Sequence, residues 1–218
     1  MSVSIPPYLE DFLKQSQTNN LKVKGLYPES IRHLDVKVSF GMGAPTHVPW
    51  MTFLGSGMLT SNGYYPCYLY YKKEQILVLA YGVSETVEFQ DPWSSEIFSR
   101  TKKISEIISK PFRYGDSYVF KSYEVKFSNS KVELFFNKQK LSKDTMEKDL
   151  EDIINEYKNC LEITVSDNES DLSKSLFYME QQLEDFIIQN WDYTELGEKY
   201  NLIIEDGIVK SQQYRTDI

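Results

Sequence analysis

Leu34, Val36, Val38 and Phe40 alternate with Asp35, Lys37 and Ser39, the period-two rhythm of a strand with one face in a core and the other in water. Gly41-Met42-Gly43 ends that run. Pro49–Leu54, Tyr64–Tyr71 and Ile76–Tyr81 read as three further strands. Ser61-Asn62-Gly63 and Lys72–Gln75 part them, turns of the kind that join antiparallel neighbours. Alternation returns over Tyr118–Phe127. Helical spacing marks other segments. Tyr8, Leu9, Phe12 and Leu13 line one side of Pro7–Gln17, just behind Pro6. Trp93, Ile97, Ile104 and Ile108 predict a second helix ended by Pro111. Met146, Leu150, Ile153, Ile154, Tyr157 and Leu161 stripe a third, with Ser142 as its N-cap. A strand meander with irregularly interleaved helices predicts an α+β fold, a twisted and mainly antiparallel sheet flanked by helices.

The polar, acidic run at 166–171 has the composition of a linker, so a first domain is expected over residues 1–163, a linker over 164–171, and a second unit over 172–218. Leu172, Leu176, Met179, Leu183, Phe186 and Ile187 predict an amphipathic helix there, a small helical C-terminal extension. At about 45 residues this unit lies near the ~40-residue floor for independent folding, and it reads as the incomplete start of a domain.

Charge changes the picture more than length does. The 218-residue chain has a net charge of -8, which by itself argues against a polyanionic partner. The charge is unevenly placed: residues 1–143 carry 18 basic against 13 acidic side chains, net +5, and residues 144–218 carry 6 against 19, net -13. Residues 100–143 alone hold 11 basic and 4 acidic groups, interleaved with Phe112, Tyr114, Tyr118, Phe120, Tyr123 and Phe127. Basic residues among aromatics suit nucleic acid, because cations meet phosphates and rings stack on bases.

Catalytic patterns are missing. His33 and His47 are the only histidines and neither sits in a nucleophile motif. No phosphate-binding loop or dinucleotide fingerprint is present. Gly41-x-Gly43 and Gly55-x-Gly57 are open to two readings, turns at strand ends or loops that cradle a ligand. Two cysteines, Cys67 and Cys160, exclude a disulfide scaffold, and with no signal sequence they suit a reducing, cytoplasmic setting without a membrane partner. Of the 31 aromatic residues, most must be core, and taken singly Trp50 or Tyr65 reads as core more readily than as ligand surface.

A resemblance narrows these alternatives. Tyr27-Pro28-Glu29-Ser30, the run Leu34–Gly43, Val48-Pro49-Trp50, Phe53-Leu54-Gly55-Ser56-Gly57, Ser61–Pro66, Leu69-Tyr70-Tyr71 and Leu77–Ser84 occur in an order that resembles the N-terminal DNA-binding domain of the McrB family of modified-cytosine restriction proteins. The match continues more loosely through Tyr114-Gly115-Asp116-Ser117-Tyr118 to the helix near Cys160. The resemblance implies recognition of 5-methyl- or 5-hydroxymethylcytosine in double-stranded DNA, with the base flipped into a pocket formed here by Trp50, Tyr65, Leu69 and Tyr114. It places Gly41, Met42 and Gly43 in a loop that enters the duplex, with Met42 where the family commonly has a Tyr. Lys37, Lys72, Lys102, Lys103 and Arg113 are the expected contacts to the DNA backbone. No catalytic residue, metal or cofactor is expected in this segment.

Leu183–Ile187, Asn190-Trp191, Leu202 and Gln213–Ile218 resemble the opening of a NucS/Mrr-like nuclease domain of the PD-(D/E)XK type. The catalytic acid strand and the E-x-K element that would follow are not in the chain. Glu184 reads either as an early metal-site acid or as a solvated helix residue. A complete domain of this type implies Mg²⁺, and the DNA reader is expected to direct a nuclease in cis or in a partner subunit. The alternative reading is an interaction module whose acidic C-terminal part recruits a protein, with incidental DNA binding.

Overall fold

A computed structural model describes residues 3–86, 93–128, 131–166, 199–205 and 208–214. The chain divides into two compact units, Met1–Asp167 and Asn168–Ile218. In the first, α1 (Ile5–Gln15) precedes five strands, β1 (Ser30–Ile31), β2 (Leu34–Ser39), β3 (Trp50–Leu54), β4 (Tyr64–Tyr71) and β5 (Ile76–Val83). Two short helices follow, α2 (Ser95–Arg100) and α3 (Ile104–Ile107), then β6 (Tyr118–Ser128), β7 (Lys131–Phe136), β8 (Gln139–Lys140) and α4 (Lys143–Ser166). The eight strands form one antiparallel sheet in sequence order, so each strand pairs with the one before it, and the longest connection, between β5 and β6, carries α2 and α3. The α+β reading holds.

The second helix expected from the sequence is instead two. Thr101 is extended, and Lys103 pairs with Tyr118 as a β-bridge while the Val119 N–H donates to the Lys102 carbonyl at 2.8 Å. The start of β6 takes the backbone groups a continuous helix would need, and α3 restarts with Glu106 accepting the Lys103 N–H at 2.8 Å. Strands β7 and β8 fall outside every sequence expectation. β7 does carry the period of two, Val132 and Leu134 alternating with Lys131 and Glu133, so it was legible from local pattern, whereas the two residues of β8 are too few to show one.

β4 is buried along its whole length, so both of its faces are covered. One face packs on helices. Phe12 of α1 meets Phe40 at 5.4 Å between ring centroids, and Tyr157 of α4 meets Tyr64 at 5.6 Å. Trp93 lies in the same layer, 5.4, 4.9 and 5.3 Å from the rings of Tyr64, Tyr81 and Tyr157, and its indole N–H donates to the Gly82 carbonyl at 3.0 Å. Ser142 caps α4 as expected, its hydroxyl accepting the Thr145 N–H at 3.0 Å. From α4, Glu147 accepts the Ile5 N–H at 2.7 Å, so a carboxylate sits at the positive end of α1. Asp149, 2% exposed, accepts the Tyr123 hydroxyl at 2.8 Å and pairs with Lys121, which ties β6 to the same helix.

In the second unit, β9 (Tyr200–Glu205) and β10 (Ile208–Tyr214) form an antiparallel hairpin, with an irregularity between Val209 and Ser211. The expected helix over 172–187, Glu184 with it, and linker residues 167–171 lie outside the described residues.

Candidate functional site

The other face of the sheet carries a cavity. In register, Ser39 stands opposite Trp50, Trp50 opposite Leu69, Thr52 opposite Cys67, and Tyr65 opposite Gly82. Paired residues on neighbouring strands point to the same side, and Tyr65, Cys67 and Leu69 share that side of β4 by the period of two. The helices cover the opposite layer, so this row opens into a hollow of about 430 Å³. That lies in the roughly 300–1,000 Å³ range of small-molecule pockets. Gly82 leaves the floor open: a Cβ there would come within 2.7 Å of the Cys67 sulfur and 2.8 Å of the Tyr65 carbonyl oxygen.

The walls come from loops held by named contacts. Tyr71, buried, donates its hydroxyl to the Arg113 carbonyl at 2.8 Å. Glu85 accepts the Tyr114 N–H with one carboxylate oxygen and the Arg113 Nε–H, at 3.0 Å, with the other. This clamp holds Tyr114 at φ 63°, a left-handed conformation that a bulky residue adopts only where its surroundings compensate. The Arg113 guanidinium lies 4.7 Å from the Tyr114 ring centroid. Trp50 lines the same cavity, and its indole partly offsets the effect of burial on the Tyr114 hydroxyl. Burial raises the hydroxyl pKa of Tyr65 and Tyr114 and the thiol pKa of Cys67, so all three stay protonated and neutral at pH 7. Tyr65 donates to the Thr60 carbonyl at 2.8 Å.

Electrically the cavity is close to neutral. Its lining cation, Arg113, is paired with its lining anion, Glu85, and the remaining polar lining is mostly hydroxyl-bearing, with Ser39, Thr46, Thr52 and Ser117 among it. Such a site suits an uncharged planar ring with hydrogen-bonding edges better than a phosphate. Among the described residues, no group of three or more His, Cys, Asp or Glu could hold a metal ion, and no helix is long and apolar enough to cross a membrane.

The family described as "MrcB-like, N-terminal domain" matches residues 9–162, which cover the whole sheet and the body of α4. The chain belongs to this family. Over 129 residues it is also 45% identical to the EcoKMcrB subunit of a type IV methyl-directed restriction enzyme from Escherichia coli (strain K12). That alignment takes in 56% of this chain and 28% of the relative's own length.

Within this MrcB-like domain, Trp50, Tyr65, Leu69 and Tyr114, the four residues that the resemblance assigns to a base pocket, all line the one cavity. Gly41 and Met42 line it too, and Gly43 follows at φ 73°. Met42 is 98% exposed, carried outward by the loop. Gly41 has φ 124°, and a Cβ would stand 2.0 Å from the Ala44 carbonyl oxygen and 2.8 Å from the Thr46 nitrogen, so the loop's path requires glycine. Gly41→Ala is expected to displace Met42 and lower DNA affinity about tenfold, with little change in thermal midpoint because the loop is exposed; a binding titration beside a melting curve checks this.

The expected backbone cations divide into two groups. Lys37 and Lys102 are exposed and Lys72 is half-buried, and none carries an ion pair among the described residues. Lys103 pairs with Asp116 at 2.8 Å, and Arg113 with Glu85. Pairing reaches Arg100, Lys121 and Lys140 as well, so the basic stretch presents less positive field than its composition implies. Sequence reasoning missed Glu85, Cys67 and Gly82. Glu85 and Gly82 had no distinguishing signal, whereas Cys67 shares the period of Tyr65 and Leu69 and could have been placed on their face.

Proposed function

We propose that this chain recognises 5-methyl- or 5-hydroxymethylcytosine in double-stranded DNA, extruding the modified base into the cavity and so directing a restriction nuclease, in cis or in a partner subunit, to modified sites. The observation that carries this reading is the convergence of Trp50, Tyr65, Leu69 and Tyr114 on one near-neutral hollow beside an exposed loop. Membership of the MrcB-like family and the likeness to a methyl-directed restriction subunit of Escherichia coli support it.

The physical steps follow from the chain's own groups. A base leaving the stack loses a few kcal/mol of stacking and pairing, and aromatic faces can return ~1–3 kcal/mol per base. Trp50 and Tyr114 supply those faces. Leu69, 2% exposed on the cavity wall, offers an aliphatic surface to a 5-substituent. One buried methyl contributes only ~0.8 kcal/mol, about a fourfold preference, so greater discrimination comes from the shape set by Gly82 and Cys67. Met42 fills the place the base vacates, as unbranched apolar side chains can. Lys37, Lys72 and Lys102 neutralise phosphates.

The test is a titration against duplexes carrying cytosine, 5-methylcytosine, 5-hydroxymethylcytosine or N4-methylcytosine at one position, with a fluorescent base reporting extrusion. At least a fourfold preference for a 5-modified duplex is expected, and log affinity should fall linearly with log salt. Equal affinity for all four duplexes would sink the reading.

A further inference from the structure

We infer that Phe112 is a second DNA-reading side chain, an aromatic platform on which the nucleotide next to the extruded one stacks. This rests on the cavity being the base pocket. Among the described residues, the two most exposed large hydrophobic side chains are Met42, at 98%, and Phe112, at 68%. Scattered exposed apolar groups are ordinary on a protein surface, but these two stand on the two loops that rim the same cavity.

Phe112 is held there. It lies two residues before the wall residue Tyr114, on the segment pinned by Tyr71 and Glu85. Its ring meets His47 at 4.5 Å between centroids and 54° between planes. His47 in turn follows Thr46, which lines the cavity, on the loop that carries Met42. The His47–Phe112 contact therefore closes the rim between the two loops. Further round, Arg113 meets Glu85 and Ser84 donates to the Ser61 carbonyl at 2.5 Å. A ring so anchored loses little conformational freedom when a base stacks on it, which is the condition under which an exposed aromatic binds well. It also stands outside the hollow, so it contacts a neighbour of the extruded base and not that base itself.

The experiment uses the full chain and a duplex with one 5-methylcytosine, intact or with an abasic site at either neighbouring position. Phe112→Ala should weaken binding to the intact duplex about tenfold, with an unchanged melting midpoint, and Phe112→Trp should restore it. Removing the neighbouring base should weaken the wild-type chain by a similar factor on one side and leave Phe112→Ala unaffected, because the two losses share one contact. A role confined to bridging the loops would make the two losses additive at both positions, and that overturns the inference. So does a Phe112→Ala chain that binds like the wild type while the wild type still prefers the modified duplex. A wild type with no preference for the modified duplex overturns the pocket reading itself, and this inference with it.

Discussion

Trp50→Ala is expected to lower affinity for a 5-methylcytosine duplex by about 5- to 150-fold, the loss of ~1–3 kcal/mol of stacking on one base, and to erase most of the preference over unmodified DNA. The indole is half-buried, at the start of β3, with one side on the cavity. The fold should survive, because the β3 residues Met51 and Phe53 that face the helical layer are untouched. Titration against modified and plain duplexes, with circular dichroism of the variant, checks both halves. An unfolded variant would return Trp50 to the core, and unchanged selectivity would remove it from the pocket.

The same substitution at Trp93 should do the reverse. Trp93 is 1% exposed and surrounded by three tyrosine rings, and its N–H occupies the Gly82 carbonyl. Truncating a buried tryptophan costs about 3–5 kcal/mol in lost transfer energy and cavity. Against the ~5–15 kcal/mol of a whole domain that is a large share, and the melting midpoint of the first unit should fall by about 10 °C. Trp93→Phe, which keeps a ring but not the donor, should cost less. Thermal melting of the two variants beside Trp50→Ala checks the contrast, and a Trp93→Ala chain melting like the wild type would contradict the packing described for that layer.

These tryptophans show what local pattern can and cannot carry. Strands β2 to β5 were legible because alternation, glycine punctuation and short polar turns are properties of adjacent residues. α4 was legible for the same reason, down to the Ser142 cap. The break between α2 and α3 was not, since it depends on the Lys102 carbonyl accepting the Val119 N–H and on Lys103 bridging Tyr118, in a strand 15 residues further along. Charge shows a similar limit: composition counts the basic residues of 100–143, but the partners of Arg100, Lys121 and Arg113 are Glu156, Asp149 and Glu85, remote in sequence.

By itself, then, the sequence determined the antiparallel meander, the family resemblance and the four residues expected around a base. Only the tertiary structure decided which of the two faces of β3 and β4 stays open. An alternating strand defines two faces without saying which will be covered, and that depends on where α1, α4, the loop at 40–48 and the segment at 101–117 come to rest. The helices took the face of Phe53, Tyr64 and Tyr68, and the face of Trp50, Tyr65 and Leu69 kept a hollow. Glu85, unremarked in the sequence, shapes it because a carboxylate far along the chain is what holds Tyr114 in place.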